Sequence, residues 1–165
     1  GKYTEQTLNG NVFSVSNQAV VSTSAALTTT WTGLALGNPT TSGMYYSLLQ
    51  VGVAQGAAGA AGGLGLMYAD LTGLARALTP VNRKIGGRGS AAICDDGATC
   101  GTPVIIETFG SIGSVATTGY GVVVNGLIDI GGAIVLSPGT SVLTYTTGAT
   151  TSALIFTFVW EEIPI

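Results

Sequence analysis

Leu127-Ile128-Asp129-Ile130-Gly131-Gly132-Ala133-Ile134-Val135-Leu136-Ser137-Pro138-Gly139-Thr140-Ser141-Val142-Leu143-Thr144-Tyr145-Thr146 decides how this chain folds. Three short runs of β-branched and aromatic residues are cut apart by Gly131-Gly132 and Ser137-Pro138-Gly139, and none is long enough to read as a helix. Gly accepts the positive φ that tight turns need and Pro has no N–H to give a sheet, so the breaks read as turns. The same beat extends outward through Val104 to Phe109, Gly113 to Thr117, Tyr120 to Val124 and Leu154 to Trp160. Asn125-Gly126 is the strongest hairpin cue, because a type I′ turn needs positive φ at both central residues.

Further strands are expected at Asn11 to Ser16, Gln18 to Ser22, Trp31 to Leu36 and Met44 to Val53, with Gly37-Asn38-Pro39 ending the third. In Met44 to Val53 the alternation puts Tyr46, Leu48 and Gln50 on one face and Tyr45, Leu49 and Val51 on the other. Apolar residues on both faces predict a strand buried between layers or at an interface. Turn signals about 8–12 residues apart indicate an antiparallel sandwich or barrel. The crossover helices of a parallel sheet are missing. The expectation is an all-β, antiparallel, jelly-roll-like β-sandwich in a single domain over residues 1–165, with a long central loop excursion and at most one short helix. That helix is placed in Ala69 to Leu78, where Leu71, Leu74, Ala75 and Leu78 recur at helical spacing ahead of Pro80.

Composition limits the chemistry. The 165 residues contain no histidine, only 8% of them are charged, and 46% are hydrophobic. Without His there is no Ser-His-Asp or Cys-His arrangement. Soluble monomers normally carry about 25–35% charged residues on their surface, so much of this surface is expected to be covered by a partner or by further copies. The net charge of −3 gives no reason to bind nucleic acid. The longest apolar stretch, Ala54 to Ala69, is too short and too rich in Gly and Ala to span a membrane. Gly1-Lys2-Tyr3-Thr4 shows no secretion signal, although a processed chain would look the same.

Several clusters are weighed for function. Cys94 and Cys100 flank Asp95-Asp96-Gly97-Ala98-Thr99 and are expected as free thiols in a surface loop or as a small local disulfide; a zinc site would need more Cys or His ligands. The two aspartates lack the ligand spacing of a calcium loop. Gly63-Leu64-Gly65 lacks the third glycine of a dinucleotide fingerprint. Glu107 and Asp129 are the pair that would meet from adjacent strands if the chain were a carboxylate hydrolase. Arg76, Arg83, Lys84 and Arg88 are four of the five basic residues, and form either a solvated loop or a partner-facing arm. Trp31, Tyr45 and Trp160 are candidates for the core or for subunit contacts. No cofactor or metal is expected.

Leu136-Ser137-Pro138-Gly139-Thr140-Ser141-Val142-Leu143-Thr144-Tyr145, followed by Phe158-Val159-Trp160-Glu161-Glu162-Ile163-Pro164-Ile165, resembles the endings of structural proteins of tailed phages, with support from Met44 to Ala61. These look like jelly-roll virion components such as capsid decoration, or cement, proteins. The resemblance implies a non-enzymatic homotrimer, made in the host bacterial cytoplasm, that sits on the outer surface of the capsid and bridges major capsid protein subunits. From the charge and the apolar stretch read above, no nucleic acid and no membrane partner are expected. The alternative is a trimeric receptor-binding or tail module that recognises a host surface glycan.

Overall fold

Gly131 and Gly132 both take positive φ, 61° and 84°, yet the chain does not turn back there. Leu127–Leu136 runs on as one strand with an irregularity at its middle, so two expected strands are one. The computed structural model describes residues 1–25, 27–55, 62–70, 73–112, 126–148 and 154–165. Within them lie one short helix, α1 (Thr4–Leu8), and ten strands: β1 (Val12–Ser16), β2 (Thr30–Gly37), β3 (Met44–Gln55), β4 (Gly62–Asp70), β5 (Val81–Asn82), β6 (Ile93–Thr99), β7 (Val104–Ile112), β8 (Leu127–Leu136), β9 (Thr140–Thr146) and β10 (Leu154–Pro164). The expected strands at Gly113 to Thr117 and Tyr120 to Val124, and Asn125 of the hairpin cue, lie outside the described residues.

Two five-stranded antiparallel sheets face each other, in the orders β5-β1-β10-β3-β8 and β6-β2-β9-β4-β7. The pairings β1 with β10, β2 with β9, β3 with β8 and β4 with β7 are those of one long ribbon folded back on itself. Rolling that ribbon joins β10 to β3 and β9 to β4 and gives the jelly-roll arrangement. The central excursion between β4 and β7 supplies β5 and β6, which extend the β1 and β2 margins.

The alternation of β-branched and aromatic residues fills the space between the sheets. Phe13, Tyr46, Leu48, Val51, Phe156, Phe158 and Trp160 of the first sheet meet Leu34, Leu36, Leu64, Leu66 and Val142 of the second. Each such side chain stabilises by about 1.5–3 kcal/mol when fully buried. Trp160 stacks on Phe13 with ring centroids 6.0 Å apart and lies 6.2 Å from Tyr46. Both outer faces also carry apolar patches. Val12, Leu49 and Val159 are covered by Tyr3 of the N-terminal segment, while Trp31, Ala35, Met67, Leu143 and Tyr145 pack with Leu74.

Irregularities decide which residues point inward. Pairing skips Leu49 between β3 and both its neighbours, so Val51 and Val53 join Tyr46 and Leu48 in the core while Leu49 faces out. This corrects the simple alternation expected for Met44 to Val53. In β2, Gly33 at φ 153° marks a register shift that leaves Trp31 on the outer face and Leu34 on the inner one. A Cβ at Gly33 would stand 2.6 Å from Thr144 Oγ1, so the close approach needs glycine.

The helix expected at Ala69 to Leu78 is not formed. Ala69 and Asp70 complete β4, and Gly73 to Leu78 is turn and loop ending in a single bridge from Leu78 to Cys94; Leu71 and Thr72 lie outside the described residues. Asp95 is the reason for the extended path. Its buried carboxylate accepts from the backbone N–H of Ala75 at 2.6 Å, and from those of Asp96 and Gly97, binding the segment to β6 rather than letting it close helical bonds of its own.

Candidate functional site

One side of the sandwich ends in β7 on the second sheet and β8 on the first, each without a further strand partner among the described residues. Edge strands are normally blunted by charge, brevity or a covering element. On the opposite side this is done: β5 is two residues long and is followed by Arg83 and Lys84, and β6 carries Asp95, Asp96 and a glycine. Among the described residues the β7/β8 side has no such protection. Val104, Ile105 and Ile106 of β7 are exposed in succession, so both faces of that strand are open, and Leu127 and Val135 are exposed on β8. Between the margins opens a cleft of about 240 Å³, lined by Tyr68, Ile106, Ile134, Val135, Leu136 and Thr140 among others. Glu107, exposed, follows Ile106 and forms no ion pair among the described residues. Exposed apolar patches are a common feature of interaction surfaces.

The basic segment is not a loose arm. Arg76 Nη1 donates to the carbonyl oxygens of Ala91 and Ala92 at 2.8 and 3.1 Å. Arg88 Nη1 donates to Glu162 Oε2 at 2.9 Å, and its guanidinium lies over the Phe13 ring, 4.8 Å from the centroid. Glu162 is only 2% exposed and also accepts from the Ser90 hydroxyl. Asn82 fixes the stretch between them, donating to the carbonyls of Gly10 and Arg88 while its side-chain oxygen accepts from Lys84 N–H. Arg83 and Lys84 are left exposed on this frame, with no side-chain partner among the described residues. The four cations thus divide into two that hold the fold and two that face outward.

The other predicted residues are placed as follows. Cys94 and Cys100 are free, buried and in extended chain at the start of β6 and just past its end. This corrects both the surface loop and the local disulfide: six residues of strand separate their Cα atoms by roughly 20 Å, against about 4.4–6.8 Å for a bridge. Burial pushes the Cys94 thiol up to about 12, and raises Cys100 as well, so neither is a poised nucleophile. Trp31 and Trp160 are sealed inside the chain at 1% and 0% exposure, which removes them as subunit contacts; Tyr45 alone of the three aromatics reaches solvent. Trp31 Nε1 donates to the Thr144 carbonyl at 2.7 Å.

Glu107 and Asp129 do not form a catalytic pair. They belong to different sheets, and Asp129 is bound on the outer face of the first by Lys2 Nζ at 2.7 Å and the Tyr3 hydroxyl at 2.8 Å, which hold its carboxyl below the usual range. Glu107, on β7, lies near Tyr145, whose phenol is raised by burial and then by the Glu107 charge. The two carboxylates belong to different sheets, and Asp129 is already taken up by Lys2 and Tyr3, so they are not set as a pair for glycoside chemistry. Among the described residues no group of three or more His, Cys, Asp or Glu side chains gathers as a metal site, and no helix is long and apolar enough to cross a membrane.

Sequence reasoning did not single out Ile85, Ile106 or Val135. A signal was present in Val104-Ile105-Ile106, an apolar run without alternation, which identifies a strand but not which side of it lacks a neighbour. No family model, curated protein or solved structure matches the chain.

Proposed function

We propose that the chain is a non-enzymatic structural subunit of a tailed-phage virion, a decoration protein that binds the outside of the head as an oligomer and braces the major capsid protein lattice. The observation that carries this reading is the β7/β8 side, two long apolar margins, unpaired among the described residues, with a cleft between them. A subunit that spends its working life against neighbours can leave such margins open, whereas a lone soluble protein pays for them in aggregation. The jelly-roll wrap, the sparse charge and the sealing of the reactive groups inside the fold support it further. Burial of apolar surface contributes about 25 cal/mol per Å² before the cost of association, and many copies on one shell add avidity.

The test is to mix the purified protein with heads assembled from the major capsid protein of the same phage. Co-sedimentation and a raised temperature of head disruption are expected. Binding to host cells or to a glycan array, with heads left unaltered, would replace this reading with the tail-module alternative. A stable monomer that ignores both would end it.

A further inference from the structure

Residues 1–9 lie on the outer face of the first sheet as a piece apart. Their backbone bonds stay among themselves and the two residues that follow: the Thr7 N–H donates to the Tyr3 carbonyl, Asn9 to Glu5, Gly10 to Thr7 and Asn11 to Gln6. From the Gly10 carbonyl onward the direction changes. That oxygen accepts from Asn82 Nδ2, and the Asn11 carbonyl accepts from the Glu162 N–H, both groups of the sandwich. Gly10 takes φ 74°, a conformation that a residue with a Cβ rarely adopts, so the boundary between the two sets of bonds is also a sharp turn.

Little ties the piece down. Among the described residues its hydrogen bonds to the sandwich are those of Lys2 Nζ and the Tyr3 hydroxyl to Asp129, at 2.7 and 2.8 Å. The Tyr3 ring adds contact with Val12, Leu49 and Val159, one residue each from β1, β3 and β10. Asp129 stands at an interruption of β8: Gln50 faces it, Leu48 faces Ile134, and the residues between oppose Leu49 alone. Lys2 Nζ reaches over that interruption, 3.5 Å from where a Cβ on Gly131 would stand.

We infer that residues 1–9 are a strap that swings about Gly10 and gates the apolar row Val12, Leu49 and Val159, with Asp129 as its latch. The hold is weak where it is polar, because the Lys2 and Asp129 side chains are 62% and 52% exposed. An ion pair so open to water adds little and is screened by salt. β1, by contrast, is paired along its whole length with β10, so the strap opens before any strand of the sandwich does. A helix of five residues does not persist alone in water, and release of the strap therefore melts α1 as well. Closed, the strap keeps the three apolar side chains at 2–3% exposure; open, it presents them together on three adjacent strands. The gate lies within one chain and works whatever that chain assembles with.

Amide hydrogen exchange of the intact chain tests it. The N–H groups of Thr7, Asn9 and Gly10 should open together, with protection at least about 100-fold below that of the paired amides of β10. Asp129→Asn should speed these three by about 5-fold and leave β10 unchanged. Salt at about 1 M should speed them similarly in the wild type and add nothing in the variant. Lys2→Gln, a change to an exposed side chain, should match Asp129→Asn and replaces it if that variant disturbs β8. A carbodiimide, which turns the paired amine and carboxylate into an amide, should slow the same three N–H groups in the joined protein. Exchange that is as fast after joining would mean that the helix frays in place, and would overturn the strap. Protection equal to that of β10, or rates that neither variant alters, would overturn it too.

Discussion

Gly65 of β4 lies directly against Glu107 of β7: a Cβ at that position would overlap the Glu107 carbonyl oxygen and stand 2.5 Å from the Tyr145 hydroxyl. The pairing skips a residue on either side of this point, so the bare backbone of Gly65 is what allows β7 to dock on β4 at all. Gly65→Ala is therefore expected to cost about 2 kcal/mol or more through overpacking. For a chain of this length that is a fall in Tm of about 4–8 °C, measurable by scanning calorimetry. An unchanged Tm would mean that β7 is not seated as described.

The Arg88–Glu162 pair joins the central excursion to the last strand. Because the carboxylate is buried and the guanidinium is partly in water, the two deletions should differ. Arg88→Met leaves a buried charge with only the Ser90 hydroxyl and is expected to cost about 2–3 kcal/mol, while Arg88→Met with Glu162→Gln should recover part of that loss. Chemical denaturation of the two variants and the double mutant measures the difference. Equal losses that simply add would show that the pair carries no coupling.

Both thiols should resist modification in the native state. A thiol reagent added without denaturant is expected to label neither Cys94 nor Cys100, and a reductant should leave the melting curve unchanged, as the two are free and buried. Stoichiometric native labelling, or a Tm lowered by reductant, would restore the loop or the bridge.

Alkaline pH should destabilise the fold. Burial raises the Cys94 thiol from 9.0 to about 12 and the Tyr46 phenol from 10.0 to about 12, so the folded chain holds both protons more tightly than the unfolded one. The stability this gives is complete below pH 9 for the thiol and below pH 10 for the phenol, and is lost as pH climbs toward 12. Urea midpoints measured from pH 8 upward should fall from about pH 9, and Cys94→Ala should delay the fall by about a unit. An identical pH profile in the variant would refute the assignment.

The two tryptophans should answer the same substitution differently. Trp31 donates a hydrogen bond to the Thr144 carbonyl, whereas Trp160 Nε1 has no partner among the described residues. Trp31→Phe strands a buried carbonyl and is expected to cost about 1 kcal/mol more than Trp160→Phe, which loses ring volume alone. Denaturation of each single variant, followed by the fluorescence of the remaining tryptophan, tests the order.

What the sequence disclosed follows from where side chains carry the information. Strands such as Val12–Ser16, Met44–Gln55 and Leu154–Pro164 alternate β-branched and aromatic residues, and turn residues bound them, so they were readable. Gly62–Asp70 was not, because a strand whose key residue is Gly65 has traded its side-chain pattern for closeness to its neighbour. Ile93–Thr99 looked like a loop because Asp95 and Asp96 are poor strand formers, and only the distant N–H of Ala75 gives Asp95 a reason to be there. The candidate site was hidden for a different reason. Ile85 and Ile106 differ from core residues only in what stands opposite them, which depends on the wrap of the whole chain.

The strand that begins this fold, Val12–Ser16, is hydrogen-bonded to the one that ends it, with Phe13 opposite Trp160. A ribosome therefore delivers the first strand long before its mate exists. The nascent protein must carry the apolar faces of β1 and β3 without their β10 partner until Leu154–Pro164 has been made. Its yield in a cell will be governed by how well that interval is guarded, more than by the firmness of the finished sandwich.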